Sequence, residues 1–233
     1  MEAFAYDRPA FWLAVFKLIW IDLLLSGDNA VVIAMACRSL PPIHRRIGTI
    51  AGATAAVGLR IVFASVVAIL MHLPYLHAVG AALLLWIAVD LVGPEPKHEQ
   101  ATAAARNLWH AIRIIVVADA VMSLDNVVAI AAAAHGSIVL IALGLALSIP
   151  LVVAGSQLVM RLIEWSPLVI WAGAALLGWV SGELLGDEVV LQTWFATWPL
   201  FADFGLPAIC ALAVVVVGLL LRRRRRRPPA SIA

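Results

Sequence analysis

Asp22-Leu23-Leu24-Leu25-Ser26-Gly27-Asp28-Asn29 is matched 97 residues later by Asp119-Ala120-Val121-Met122-Ser123-Leu124-Asp125-Asn126. Each copy is set in apolar sequence long enough to cross a bilayer. Four carboxylates therefore fall where lipid is expected. A charged side chain near the bilayer centre costs at least about 2.5 kcal/mol on insertion scales, so acids kept at that depth face a polar cavity and commonly hold a cation or a proton.

The surrounding sequence is that of an integral membrane protein. Hydrophobic residues make up 64% of the chain and charged residues 13%, and the mean hydropathy is +1.02, far from a soluble domain. Seven apolar stretches stand out: Phe11–Cys37, Ile47–Met71, Leu76–Val92, Leu108–Ala134, Ile138–Met160, Pro167–Leu185 and Leu206–Leu221. The expected fold is thus an all-α polytopic membrane protein with seven transmembrane helices. A single transmembrane domain is expected over residues 1–221, with a basic cytoplasmic tail over 222–233. The longest connections, Gly93–Asn107 and Gly186–Gly205, are too short for a folded extramembrane domain. Glu2 and Asp7 outweigh Arg8 ahead of the first span, so that span is expected to be retained rather than cleaved as a leader.

Basic residues fix the expected orientation. Arg38, Arg45 and Arg46 follow the first span, Lys97 and Arg106 the third, Arg161 the fifth and Arg222–Arg227 the seventh, whereas the alternate connections carry no Lys or Arg. The positive-inside rule then puts the N-terminus outside and the C-terminus in the cytoplasm. The run of six arginines reads as an anchor on an anionic leaflet, not as a nucleic-acid site. Cys37 and Cys210 have no metal-type spacing and read as buried small apolar residues.

A second internal match shows that the repeat extends beyond the motif. Gly80-Ala-Ala-Leu-Leu-Leu-Trp86-Ile-Ala-Val-Asp90-Leu-Val-Gly93-Pro-Glu95 parallels Gly173-Ala-Ala-Leu-Leu-Gly-Trp179-Val-Ser-Gly-Glu183-Leu-Leu-Gly186-Asp-Glu188. Spans one to three (11–92) repeat as spans four to six (108–185), and the helix over 206–221 is extra. Three spans per unit is an odd number, so the second unit is inverted relative to the first, as in secondary transporters with a midplane site between repeats.

The side chains in the motif define the chemistry. At about 100° per residue, Asp22, Ser26 and Asn29 share one stripe of a helix, and so do Asp119, Ser123 and Asn126. Asp28 and Asp125 lie about 600° and ~9 Å further on and point elsewhere, unless the helix loosens between the acids. Gly27 permits a break in the first copy; Leu124 does not favour one in the second. Carboxylates, amide carbonyls and hydroxyls are hard oxygen donors suited to Mn²⁺, Mg²⁺ or Ca²⁺, and the motif lacks the Cys and His that Zn²⁺ or Cu⁺ prefer. The six histidines, His44, His72, His77, His98, His110 and His135, all fall in loops or at span ends. Arg60, near the centre of the second span, needs a partner at that depth and is expected to be the counter-ion of the motif acids. With Arg60 and four acids ionised the cavity carries −3, so a divalent ion leaves −1, and protonation of one acid offers a coupling route. Lys17 and Arg113 read as residues snorkelling to opposite interfaces. Asp90 and Glu183, at opposite ends of equivalent spans, are candidates for the mouths of a cation path.

The two motif copies, Arg60 and the paired Gly-Ala-Ala-Leu-Leu segments together resemble the TerC family of integral membrane proteins over nearly the whole chain, in a short form without appended soluble domains. The resemblance implies membership of a lysine-exporter-like superfamily and, from several relatives, manganese export, with tellurite resistance as the historical label. It carries Asp22, Asp28, Asn29, Asp119, Asp125 and Asn126 over as metal-binding residues. The reading that follows is a non-enzymatic Mn²⁺ exporter of the bacterial inner membrane, exchanging metal for protons. It needs no resident cofactor, has the metal ion and the bilayer as partners, and leaves room for a homo-oligomer. Alternatives are an assembly partner for other membrane proteins, or an exporter of Ca²⁺ or an amino acid. An intramembrane aspartyl protease would also use two facing acids, but no Gly-x-Gly-Asp element is present.

Overall fold

The computed structural model describes residues 9–70, 75–93, 101–134, 137–188, 190–191 and 198–226, without the side chains of 9–10, 23–24, 67–70, 101–106, 124–125, 128–129, 131–132 and 224–226. The described residues contain eight α-helices and one π-helical turn and no strand. In chain order these are α1 (Pro9–Leu25), α2 (Gly27–Cys37), α3 (Pro42–Leu70), α4 (Leu76–Val92), α5 (Ala101–Ala133), α6 (Ile138–Trp165), α7 (Leu168–Gly186), the π turn Phe201–Gly205 and α8 (Leu206–Arg226).

The count exceeds seven because the first apolar stretch is two helices. Ser26 leaves helical geometry, with φ −108° and ψ 11°, and α1 and α2 meet there at a bend of 57°. Ser26 is followed by Gly27, which weakens helix propensity at the same point. Several helices also outrun their apolar stretches. α3 starts at Pro42, where a missing N–H costs a first turn nothing, α6 continues to Trp165, and α8 carries the polypeptide helically through Arg222 to Arg226. Pro42–Val66, Ile138–Trp165, Leu168–Gly186 and Phe201–Arg223 are each long and apolar enough to span a membrane, and the α1–α2 pair makes a fifth candidate if its two bent halves count as one span. The 17 residues of α4 reach about 26 Å, just under the hydrocarbon thickness.

The helices fall into two compact units. The first contains α1, α2, α3, α5 and α6 as far as Leu162. Its apolar core includes Phe11, Val15 and Leu18 of α1, Ile130 of α5, Ala134, and Leu140, Ile141 and Leu145 of α6. α3 and α5 cross closely: a Cβ on Gly52 would lie 2.7 Å from the Ile115 Cδ1, so a larger residue there would displace the Ile115 side chain. That crossing brings Arg60 of α3 level with the motif of α5.

The second unit contains α4, α7, the π turn and α8. Cβ atoms on Gly178 and Gly182 of α7 would lie 2.7 Å from the Ala211 Cα and 2.3 Å from the Pro207 Cα of α8, the close backbone approach that small residues permit between membrane helices. Glu188 is buried and accepts the backbone N–H groups of Tyr75 at 3.2 Å and Ala78 at 3.1 Å, so a carboxylate satisfies the exposed N–H groups at the start of α4. At the other end of α4, Arg222 Nε donates to the Val92 carbonyl at 3.0 Å, and its guanidinium lies 4.8 Å from the Trp171 ring centroid.

Candidate cation site

The first unit holds a buried polar cluster built from three helices. Asp22 lies one turn before the end of α1, Arg60 near the middle of α3, and Asp119 and Ser123 in the middle of α5. Arg60 is 3% exposed, Asp22 1% and Asp119 6%. The Arg60 guanidinium bridges the two carboxylates: Nη1 donates to Asp22 Oδ1 and Nη2 to Asp119 Oδ1. Nη1 also donates to Ser26 Oγ at 3.0 Å, and Nε to Ser123 Oγ at 2.8 Å.

The sequence dictates this pattern locally. Each motif sets a serine four residues after an acid, one turn on and on the same face. Ser26 Oγ donates to Asp22 Oδ1 and Ser123 Oγ to Asp119 Oδ2, both at 3.2 Å. Each hydroxyl thus uses its proton on its own acid and its lone pair on Arg60. The planar five-donor fork of arginine reaches all four groups at once, which the point charge of lysine does not. One guanidinium against two carboxylates leaves the cluster at −1.

Three polar atoms remain over. Asp22 Oδ2 and both amide atoms of Asn29 are buried and find no hydrogen-bond partner among the described residues, and Asn29 itself is 5% exposed. Asp22, Ser26, Asn29, Arg60, Asp119 and Ser148 contribute the polar lining of a small cavity of about 20 Å³, room for about one water. Its other walls are apolar, from Val32 and Ile33 of α2, Ala53, Ala56 and Val57 of α3, Ile115 of α5, and Ile149 and Val152 of α6. A buried amide and a carboxylate oxygen left over in an apolar-walled cavity are costly unless something polar is bound there.

The other motif residues are used differently. Asp28 is half-buried, does not line the cavity, and accepts the Asn29 backbone N–H at 2.8 Å. In the first turn of α2 its charge faces the positive end of the helix dipole, so the break at Ser26 does not turn Asp28 toward Asp22. Asn126 donates from Nδ2 to the Leu25 carbonyl at 3.4 Å, the last carbonyl of α1, freed by the break. Asn29 faces the cavity while its counterpart braces the discontinuity. α5 runs unbroken through Leu124 and Asp125, and the Asp125 side chain lies outside the described residues. Among the described residues no three of His, Cys, Asp and Glu converge as a metal-binding group; the cavity holds two carboxylates with an arginine between them.

Asp90 and Glu183 belong to the second unit and are exposed, and Glu183 accepts the Trp179 indole N–H at 2.8 Å. Lys17 and Arg113 are exposed. His72, His98 and His135 lie outside the described residues. Ser148 is a lining residue that motif reading missed. It is fully buried on α6, its hydroxyl donates to the Leu145 carbonyl at 2.8 Å, and Pro150 lies inside the helix two residues on. A serine beside a mid-span proline was the available signal.

The profile of the integral membrane protein TerC family matches residues 7–226. The chain belongs to the TerC family. Among similar proteins, the membrane protein YjbE of Bacillus subtilis (strain 168) is 40% identical over 184 residues, covering 79% of this chain and 84% of YjbE. The membrane protein YceF of the same organism is 28% identical over 101 residues, covering 43% of this chain and 39% of YceF. No solved structure shows a significant match to the chain.

Proposed function

We propose that this TerC-family protein is a divalent-cation transporter that exports Mn²⁺ in exchange for protons. The observation that carries the reading is the convergence of Asp22 and Asp119, one from each motif copy, on Arg60 beside a cavity lined by Asp22 and Asn29, whose Oδ2 and amide have no partner among the described residues. In this reading Asp22, Asn29 and Asp119 are the principal ligands, with Ser26 and Ser123 in support. Asp28, Asp125 and Asn126 complete the site when the helices rearrange. All are oxygen donors, which favour hard divalent cations, and Mn²⁺ sheds its waters more readily than Mg²⁺.

Spans one to three and four to six act as an inverted repeat of a seven-span protein, with a discontinuous first span at the site, an arrangement suited to alternating access. The chain sits in the bacterial inner membrane with its N-terminus outside and its arginine-rich end in the cytoplasm. Export rather than uptake follows from family resemblance, because an alternating-access site has no built-in direction. The test is Mn²⁺ flux into or out of liposomes containing the purified protein, with an imposed pH gradient and with Asp22→Asn and Asp119→Asn as controls.

A further inference from the structure

Arg60 raises a difficulty that the proposed function must answer: the two carboxylates meant for a cation already hold one. We propose that Arg60 determines the charge selectivity of the site, acting as a tethered competitor that only a divalent cation displaces. The inference rests on the cation-site reading above and adds to it a residue role and a rule for which cations are admitted.

Arg60 Nη1 and Nη2 each take one oxygen, Oδ1 in both Asp22 and Asp119, and Nη1 and Nε also take the two serine hydroxyls. The second oxygen of Asp22 and the Asn29 amide are buried without a hydrogen-bond partner among the described residues, and both residues line the cavity. A cation can therefore first bind Asp22 Oδ2 and Asn29 Oδ1 while Arg60 is still in place. What happens next depends on valence. Na⁺ or K⁺ brings one charge, no more than Arg60 already supplies, and Arg60 is held beside the acids by its own chain at a local concentration a free ion does not match. Replacement by a monovalent ion releases Arg60, exchanges one positive charge for another and leaves the carboxylates at net −1, so it gains nothing over the resting pair. A divalent ion also releases Arg60, but it brings twice the charge to the two carboxylates and neutralises them, and that gain is what favours the exchange. Bridging two acids from helices 97 residues apart in sequence also makes Arg60 a latch on the ion-free arrangement.

The experiment measures Mn²⁺ binding by the full-length detergent-purified protein from the spectroscopic signal of free Mn²⁺. The titration is repeated in NaCl and in choline chloride of equal ionic strength. The parent is expected to bind Mn²⁺ with the same affinity in both salts. Arg60→Gln is expected to bind Mn²⁺ at least tenfold more tightly in choline chloride and to lose at least fivefold of that affinity in NaCl, because Na⁺ now reaches the carboxylates. Arg60→Lys, which keeps the charge but cannot bridge both acids, is expected to fall between them. An Arg60→Gln protein that elutes as a single folded species yet binds Mn²⁺ no more tightly than the parent overturns the proposal. If Arg60→Gln does not fold, Arg60→Lys with parental affinity and no Na⁺ sensitivity overturns it. Failure of the underlying site has a different signature: no Mn²⁺ binding by the parent, or binding unaffected by Asp22→Asn, rejects both readings together.

Discussion

Asp119 lets stability and function be separated by two substitutions at one position. Its Oδ1 accepts from Arg60 Nη2 and its Oδ2 from Ser123 Oγ, in a setting that leaves the residue 6% exposed. Asp119→Asn keeps the shape and one oxygen acceptor for Arg60. Asp22 still faces the guanidinium, and the cluster passes from −1 to neutral. The Arg60 bond passes from an ion pair to a cation donating to a neutral amide oxygen, a difference of about 1–1.5 kcal/mol. Asp119→Ala removes both acceptors, strands part of a buried guanidinium and a serine hydroxyl, and should cost about 3–5 kcal/mol. Thermal unfolding of the purified protein in one detergent should therefore rank parent, Asn and Ala in that order, with the larger gap between Asn and Ala. In liposomes both variants should fall below one hundredth of parental Mn²⁺ flux, because each lacks the anionic ligand. An Asp119→Asn protein as unstable as Asp119→Ala refutes the hydrogen-bond account of the cluster; Asp119→Asn with parental flux refutes its role as ligand.

Two further predictions concern the framework. Gly182→Val sets a side chain where even a Cβ would lie 2.3 Å from the Pro207 Cα; it should force α7 and α8 apart and lower the yield of folded protein severalfold, measured by size-exclusion chromatography, whereas Gly58→Ala, where a Cβ meets nothing within 4 Å, should not. Cysteine labelling of the two ends in intact cells should find the start of the chain outside and the arginine-rich end protected; both ends on one side would remove the odd number of spans and with it the inversion of the repeat.

Much of the site was legible because charge in a membrane is so constrained. Asp22, Asp119 and Arg60 could be paired from sequence, since each is intolerable alone at that depth, and the four-residue spacing of Ser26 and Ser123 from their acids gave the supporting bonds. The break in the first span was legible in Gly27, but its consequence was not: Asp28 turns to a backbone N–H of α2, a local bond that forms as soon as the helix restarts. The different uses of Asn29 and Asn126 were hidden because the motif copies are identical at those positions, and only the freed Leu25 carbonyl distinguishes them. The two compact units were also illegible. The repeats run consecutively along the chain, whereas α4 packs with α7 and α8, and α3 with α5, choices made by glycine contacts such as Gly52 on Ile115 that periodicity does not reveal. Nothing in the sequence marked Glu188, whose partners at the start of α4 lie more than a hundred residues earlier in the chain.

The central claim, that Asp22 and Asp119 form the binding site of a proton-coupled Mn²⁺ transporter, is tested most directly by flux into liposomes loaded with a manganese-sensitive dye under an imposed pH gradient. The account predicts Mn²⁺ movement that accelerates when protons flow the opposite way, collapses when the gradient is dissipated, and disappears in Asp22→Asn and Asp119→Asn. Absent flux, flux indifferent to the pH gradient, or parental flux in both variants would contradict it.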